Sequence, residues 1–249
     1  MKTSRRYFVA FTVGGLIALL SVFWAGLSVL SAHAAGAALP AQVFAPYQDM
    51  TIGTSLKSVA QSTGQKYFTL AFITSSGGCK YSWGSSTPTL ASDLSYIRSQ
   101  GGDVLISFGG AAGTELALDC NSPKALQAQY QKVINTYKVT HLDFDIEGGT
   151  EGDVTSYTRR NTALAALQKA NPGLTIDFTL PSDPTGPTSQ DMGLLKNAKA
   201  KGVNFSVVNL MTMDYNGPDN HMGKDAIAAA KNLFAQLKKM YPTKTTGEL

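Results

Sequence analysis

The sequence predicts an α/β fold of the (β/α)8 TIM-barrel type, with only about six β/α units present. Three observations carry that prediction. Short apolar runs rich in Val, Ile and Phe recur along the chain, and helix-like stretches separate them. The far end of each run breaks into Gly, Asp and aromatic residues. Strands joined by connections long enough for a crossover imply a parallel sheet with helices packed outside it. A barrel gathers its function at the C-terminal ends of its strands. An open doubly wound sheet more often shows a Gly-rich phosphate loop after its first strand, whereas here "APYQDMT" occupies that place.

In chain order the strand-like runs are VFAPYQDM from Val43, YFTLAFI from Tyr67, DVLISFGG from Asp103, HLDFDIEG from His141, LTIDFTLP from Leu174 and VNFSVVNLMTMDY from Val203. Their starts lie 24, 36, 38, 33 and 29 residues apart, room for one helix each. Three helices are clearest: SPKALQAQYQKVINTY, TSYTRRNTALAALQKA and MGKDAIAAAKNLFAQLKKMY. Ser122 before Pro123 reads as an N-cap followed by proline at the first helical position. Asn171-Pro172-Gly173 stops the second helix. SDPTGPTSQ, Ser182 to Gln190, reads as a flexible loop at the mouth. The sequence runs out at YPTKTTGEL after the sixth helix, so the expectation is a C-terminally truncated barrel, open at its first and sixth strands.

The two ends differ in kind. MKTSRR, an uncharged apolar stretch and SAHAAGA make a secretory signal over residues 1–34, cleaved near Ala34. The alternative is a membrane anchor retained through residues 7–30. Residues 35–249 then form the folded domain. The chain carries a formal +4, but residues 1–34 hold three of the 21 basic residues and none of the 17 acids. The remainder is nearly balanced, which gives no reason to expect nucleic acid as a partner. Cys79 and Cys120 have no His/Cys cluster around them; in an exported chain they read as a disulfide, with two free buried thiols as the alternative.

The densest chemistry is in THLDFDIEGG. Side chains alternate faces along a strand, so Asp143, Asp145 and Glu147 share one face while Leu142, Phe144 and Ile146 share the other. Three carboxylates turned into a barrel repel one another and lose hydration, so a purely structural role is a poor fit. Two other readings stay open here: an exposed edge strand with a wet acidic face, and a divalent metal site. Carboxylate chemistry fits better, because crowding raises the pKa of at least one member and keeps it protonated as a general acid. Glu147, last in the row and longest in reach, is the candidate proton donor.

LDFDIE resembles the D-x-D-x-E core of family 18 glycoside hydrolases, the chitinases and endo-β-N-acetylglucosaminidases. Thr140 and His141 stand where that family's fuller pattern has Asp-Gly. SFGG, Ser107 to Gly110, matches its S-x-G-G, and MTMDY, Met211 to Tyr215, resembles its M-x-Y-D, with Met213 at the usual Tyr. The resemblance runs from about Val43 to Tyr241. It implies substrate-assisted, retaining hydrolysis of β-1,4-N-acetylglucosamine linkages, with Glu147 as acid and then base. Asp145 would orient the 2-acetamido group, and Asp143 would hold a proton or tune Asp145. Met211, Asp214 and Tyr215 would bind substrate.

Ser107 and Gly109 are candidate substrate contacts or residues that make room for the acids. Tyr47 and Trp83 are candidates to stack on sugar or to cover apolar surface. Asp177 reads as catalytic or as a core hydrogen-bonding residue, His141 as a packing or surface residue, and His221 as solvated. The resemblance also implies a tryptophan on the eighth strand, which neither Trp24 nor Trp83 supplies. No cofactor or metal is implied, and a secreted monomer acting on chitin or N-acetylglucosamine oligosaccharides is expected. Cleavage of N-glycans and a non-catalytic chitin-binding or truncated fragment are the alternatives.

Overall fold

A computed structural model describes residues 39–84, 90–215 and 221–249. The proposed leader over residues 1–34 falls outside them. Six strands run parallel: β1 (Tyr47–Asp49), β2 (Tyr67–Ser75), β4 (Asp103–Gly109), β5 (His141–Asp145), β6 (Thr175–Pro181) and β7 (Phe205–Met211), in the order β1-β2-β4-β5-β6-β7. A two-residue strand, β3 (Tyr81–Ser82), pairs antiparallel with β2 and has no counterpart among the strand-like runs of the sequence. It is too short to show a period. The first run pairs over three residues only, since Pro46 has no N–H to give and contributes its carbonyl to Thr69 N at 3.0 Å.

The helices are α1 (Leu56–Thr63), α2 (Ala91–Ser99), α3 (Leu116–Asp119), α4 (Pro123–Tyr137), α5 (Val154–Ala170), α6 (Ser189–Lys201) and α7 (Met222–Met240). Ser122 caps α4 by accepting from Ala125 N, with Pro123 in the first turn, as the sequence indicates. Asn171 follows the last turn of α5. The stretch read as a flexible loop is largely a tight turn: Asp183 and Gly186 exchange backbone hydrogen bonds, and Thr188 with Asp191 forms a capping box that starts α6.

The two faces of the sheet carry different chemistry. Leu142, Phe144 and Ile146 are fully buried on the helix side, beside Phe108 and Phe178. Phe108 and Phe144 stack at 5.3 Å, and Tyr130 from α4 meets both edge-on at 4.9 and 5.2 Å. This aromatic cluster fixes the helix layer against the central strands, so the opposite face is free to be polar.

That face curls. The Tyr47 hydroxyl on β1 lies 2.9 Å from both Asp143 on β5 and Thr179 on β6. In a flat sheet those strands would lie roughly 14 and 19 Å from β1, farther than a tyrosine reaches. The sheet has barrel curvature but is not closed. β7 leaves Val207 exposed, and α7 beside it exposes Ile227 and Phe234. Open edges at the first and last of the six strands match the sequence expectation. Cys79 and Cys120 form a disulfide that ties the loop after β2 to the end of α3.

Candidate active site

The acid row sits on a central strand, not an edge. Asp143 lies in register between Ser107 of β4 and Asp177 of β6, and Asp145 lies between Gly109 and Thr179. Both carboxylates are buried, which overturns the reading of a wet acidic edge. Glu147 follows two residues after the strand ends and is partly exposed. The ladder continues one step past the strand, with Ile146 N donating to Thr179 O at 2.9 Å. Gly148 and Gly149, at φ 68° and 89°, then turn the chain away and leave Glu147 at the lip.

Asp143 is held by three hydroxyls. Ser107 Oγ donates to its Oδ2 at 2.6 Å, Tyr47 OH to the same oxygen at 2.9 Å, and Thr179 Oγ1 to Oδ1 at 2.8 Å. Burial pushes the Asp143 carboxyl up to about 6, the three hydroxyls oppose that rise, and the charge of Asp177 adds to it. Asp145 goes further, to about 8: burial acts first, then the charges of Asp143 and Glu147, then a hydrogen bond with Glu147. Its Oδ1 is buried without a protein partner. Near neutral pH Asp145 therefore holds a proton directed to Glu147, with one acceptor oxygen left over. Asp145 is the more deeply buried of the two acids.

Four candidate contacts are corrected or refined. Trp83 is 1% exposed and donates Nε1–H to Tyr137 OH at 2.8 Å, so it is a core residue and offers no face to a sugar. Ser107 is fully buried beneath Asp143 and positions it. Gly109, at φ 105°, makes room: a Cβ there would lie 2.0 Å from the Asp145 carbonyl oxygen. Tyr47 stays in the site, 42% exposed, with its ring 5.7 Å from that of Phe72. Its hydroxyl belongs to Asp143.

Met211 ends β7, partly buried, and its carbonyl accepts from Ser182 Oγ at 3.0 Å. Asp214 is exposed with φ 53°, and the Tyr215 hydroxyl is buried with no partner among the described residues. Asp177 takes the hydrogen-bonding role, 2.6 Å from His141 Nε2, and His141 takes the packing one of its two readings, on the interior face. Thr179, Asn209 and Phe72 join the site without having stood out in the sequence. Thr179 and Asn209 follow Asp177 and Val207 by two on their strands, so period-two alternation in LTIDFTLP and VNFSVVNLM points to them. Among the described residues no group of three or more His, Cys, Asp or Glu is placed to hold a metal ion.

The profile of the glycosyl hydrolases family 18 matches residues 44–246. The chain belongs to family 18. Within it the chain is 36% identical over 233 residues to the "Probable bifunctional chitinase/lysozyme" of Escherichia coli (strain K12), covering 85% of this chain and 26% of that protein. It is 36% identical over 230 residues to "Endochitinase 11" of Metarhizium anisopliae, covering 85% of this chain and 44% of the relative. The chain thus spans less than half the length of either. Among solved structures, catalytic-site mutants of active domain 2 of the thermostable chitinase from Pyrococcus furiosus, complexed with chito-oligosaccharides, share the fold. There the TM-score is 0.76 at 38% identity, over 85% of this chain and 70% of the other. Asp143 and Asp145 lie toward the C-terminal end of a central parallel strand, and Glu147 follows two residues past it.

Proposed function

We propose that the chain is an exported glycoside hydrolase that cleaves β-1,4-N-acetylglucosamine linkages in chitin or chitooligosaccharides by a retaining, substrate-assisted mechanism. The observation that carries this reading is Asp145: buried, hydrogen-bonded to Glu147, and left with one unpartnered oxygen. An amide N–H of a 2-acetamido group supplies the donor that oxygen lacks. Its arrival stabilises the Asp145 anion, so the proton between the two carboxyls passes to Glu147.

Glu147 then gives that proton to the glycosidic oxygen, and the C–O bond to the leaving sugar breaks. The acetamido oxygen attacks the anomeric carbon and closes an oxazolinium ring, whose positive charge faces Asp145. Glu147, now a carboxylate, takes a proton from water; the hydroxide equivalent opens the ring with net retention, and Glu147 is reprotonated. Asp143, fixed by its three hydroxyls, keeps Asp145 in place and keeps its proton costly to lose. Export is supported by the N-terminal pattern and by the Cys79–Cys120 disulfide, which suits an oxidising compartment. The direct test is to digest N-acetylchitohexaose and follow the fresh reducing ends by proton NMR. Initial β-anomer supports the reading, and initial α-anomer excludes retention.

A further inference from the structure

His141 stands where the family pattern has glycine, and the mechanism above does not use it. Its Nε2 lies 2.6 Å from Asp177 Oδ2, with both side chains largely buried. The other oxygen of Asp177 is buried without a partner. Asp177 is the in-register neighbour of Asp143, one strand away. The interior face of β5 and β6 thus places His141 two residues before Asp143 and Asp177 beside it.

We propose that His141 and Asp177 are positioning residues for the acid row: they form an imidazolium–carboxylate pair that sets the charge beside Asp143, and through it the protonation of Asp143 and Asp145. The catalytic consequence rests on the hydrolase reading. The electrostatic one does not.

The surroundings leave few other groups to do this. From β4, Asp103 faces His141, but Arg98 of α2 already holds it at 3.0 Å. From β1, Tyr47 presents a hydroxyl whose proton burial and the Asp143 charge both help retain. An unbalanced unit charge one strand away changes a buried carboxyl's affinity for protons by on the order of one to two pKa units. Removing the negative member of the pair must therefore ease ionisation of Asp143 and Asp145. Removing the positive member, with Asp177 left charged, must oppose it.

The test compares Asp177→Asn, His141→Gln and the double variant in the full chain. Gln keeps an N–H donor for Asp177 and loses the charge. Two readouts are taken: the pH profile of chitooligosaccharide hydrolysis, and carbon-13 NMR titration of Asp143 and Asp145 in carboxyl-labelled protein. The expected result is opposite displacement, by at least about half a pH unit. Apparent pKa values fall in Asp177→Asn and rise in His141→Gln, and the double variant returns toward the parent. Displacement in the same direction in both single variants, or none in either, overturns the proposal. A parent that hydrolyses nothing sinks the hydrolase reading, while the titration still decides this one. A folding defect would lower thermal stability in each variant without producing opposite displacements.

Discussion

Asp145 and Glu147 share a hydrogen bond at the mouth end of β5, and the second oxygen of Asp145 is buried with nothing to accept from. One relationship thus combines a stored proton with an unfilled acceptor. Its energetics are testable without substrate. Asp145 titrates near 8, well above its ordinary value of 3.8, so the folded state binds more protons than the unfolded state between those limits. Stability must then fall as pH rises through that window. Asp145→Asn, which cannot ionise, should therefore melt a few degrees above the parent at pH 8.5 and lose that advantage toward pH 4. Thermal melts at three pH values check it, and a constant difference would contradict the assignment.

Ser107 gives Asp143 its shortest hydrogen bond, 2.6 Å, in a place with no solvent. Ser107→Ala leaves a buried acceptor short of one donor and should cost about 1–3 kcal/mol in a urea melt. It should also raise the Asp143 pKa, because one of the donors opposing burial is gone. Activity should fall through kcat with KM little changed, since Ser107 is out of a sugar's reach.

Gly109 has a sharper requirement. A methyl group there would sit 2.0 Å from the carbonyl oxygen of Asp145. Gly109→Ala must push β4 from β5 or strain a positive φ, at a cost on the order of 1–3 kcal/mol. Because the displaced carbonyl belongs to Asp145, stability and activity should fall together.

Trp83 gives the opposite pattern. Trp83→Phe removes the hydrogen bond to Tyr137 and leaves a void in the core, and should cost about 1–3 kcal/mol. The KM for chitooligosaccharide should not change. A several-fold rise in KM with an unaltered melt would restore Trp83 to the substrate-binding residues.

How far the sequence leads depends on which kind of signal each residue leaves. Period-two alternation alone places Asp143, Asp145 and Glu147 on one face, and three acids on an otherwise apolar strand make sense only where chemistry uses them. Ser122-Pro123 and Asn171 mark helix ends through local backbone chemistry, so they too are readable. Trp83 is not. Whether an indole faces a cleft or a core depends on where Tyr137, 54 residues away, brings its hydroxyl. The same holds for Tyr47, whose partner Asp143 lies 96 residues on and becomes a neighbour only once the sheet curls. His141 escapes the sequence because its partner Asp177 is on the next strand, and cross-strand register is not written in either segment alone.

The most direct test of the central claim is hydrolysis of a fluorogenic N-acetylchitooligosaccharide by the parent chain beside Glu147→Gln. The geometry predicts measurable turnover in the parent and a loss of about 10²–10⁴-fold or more in the variant, with the fold unchanged by circular dichroism. Parent-like turnover in Glu147→Gln would show that another group delivers the proton, and would contradict the roles assigned to Asp145 and Glu147.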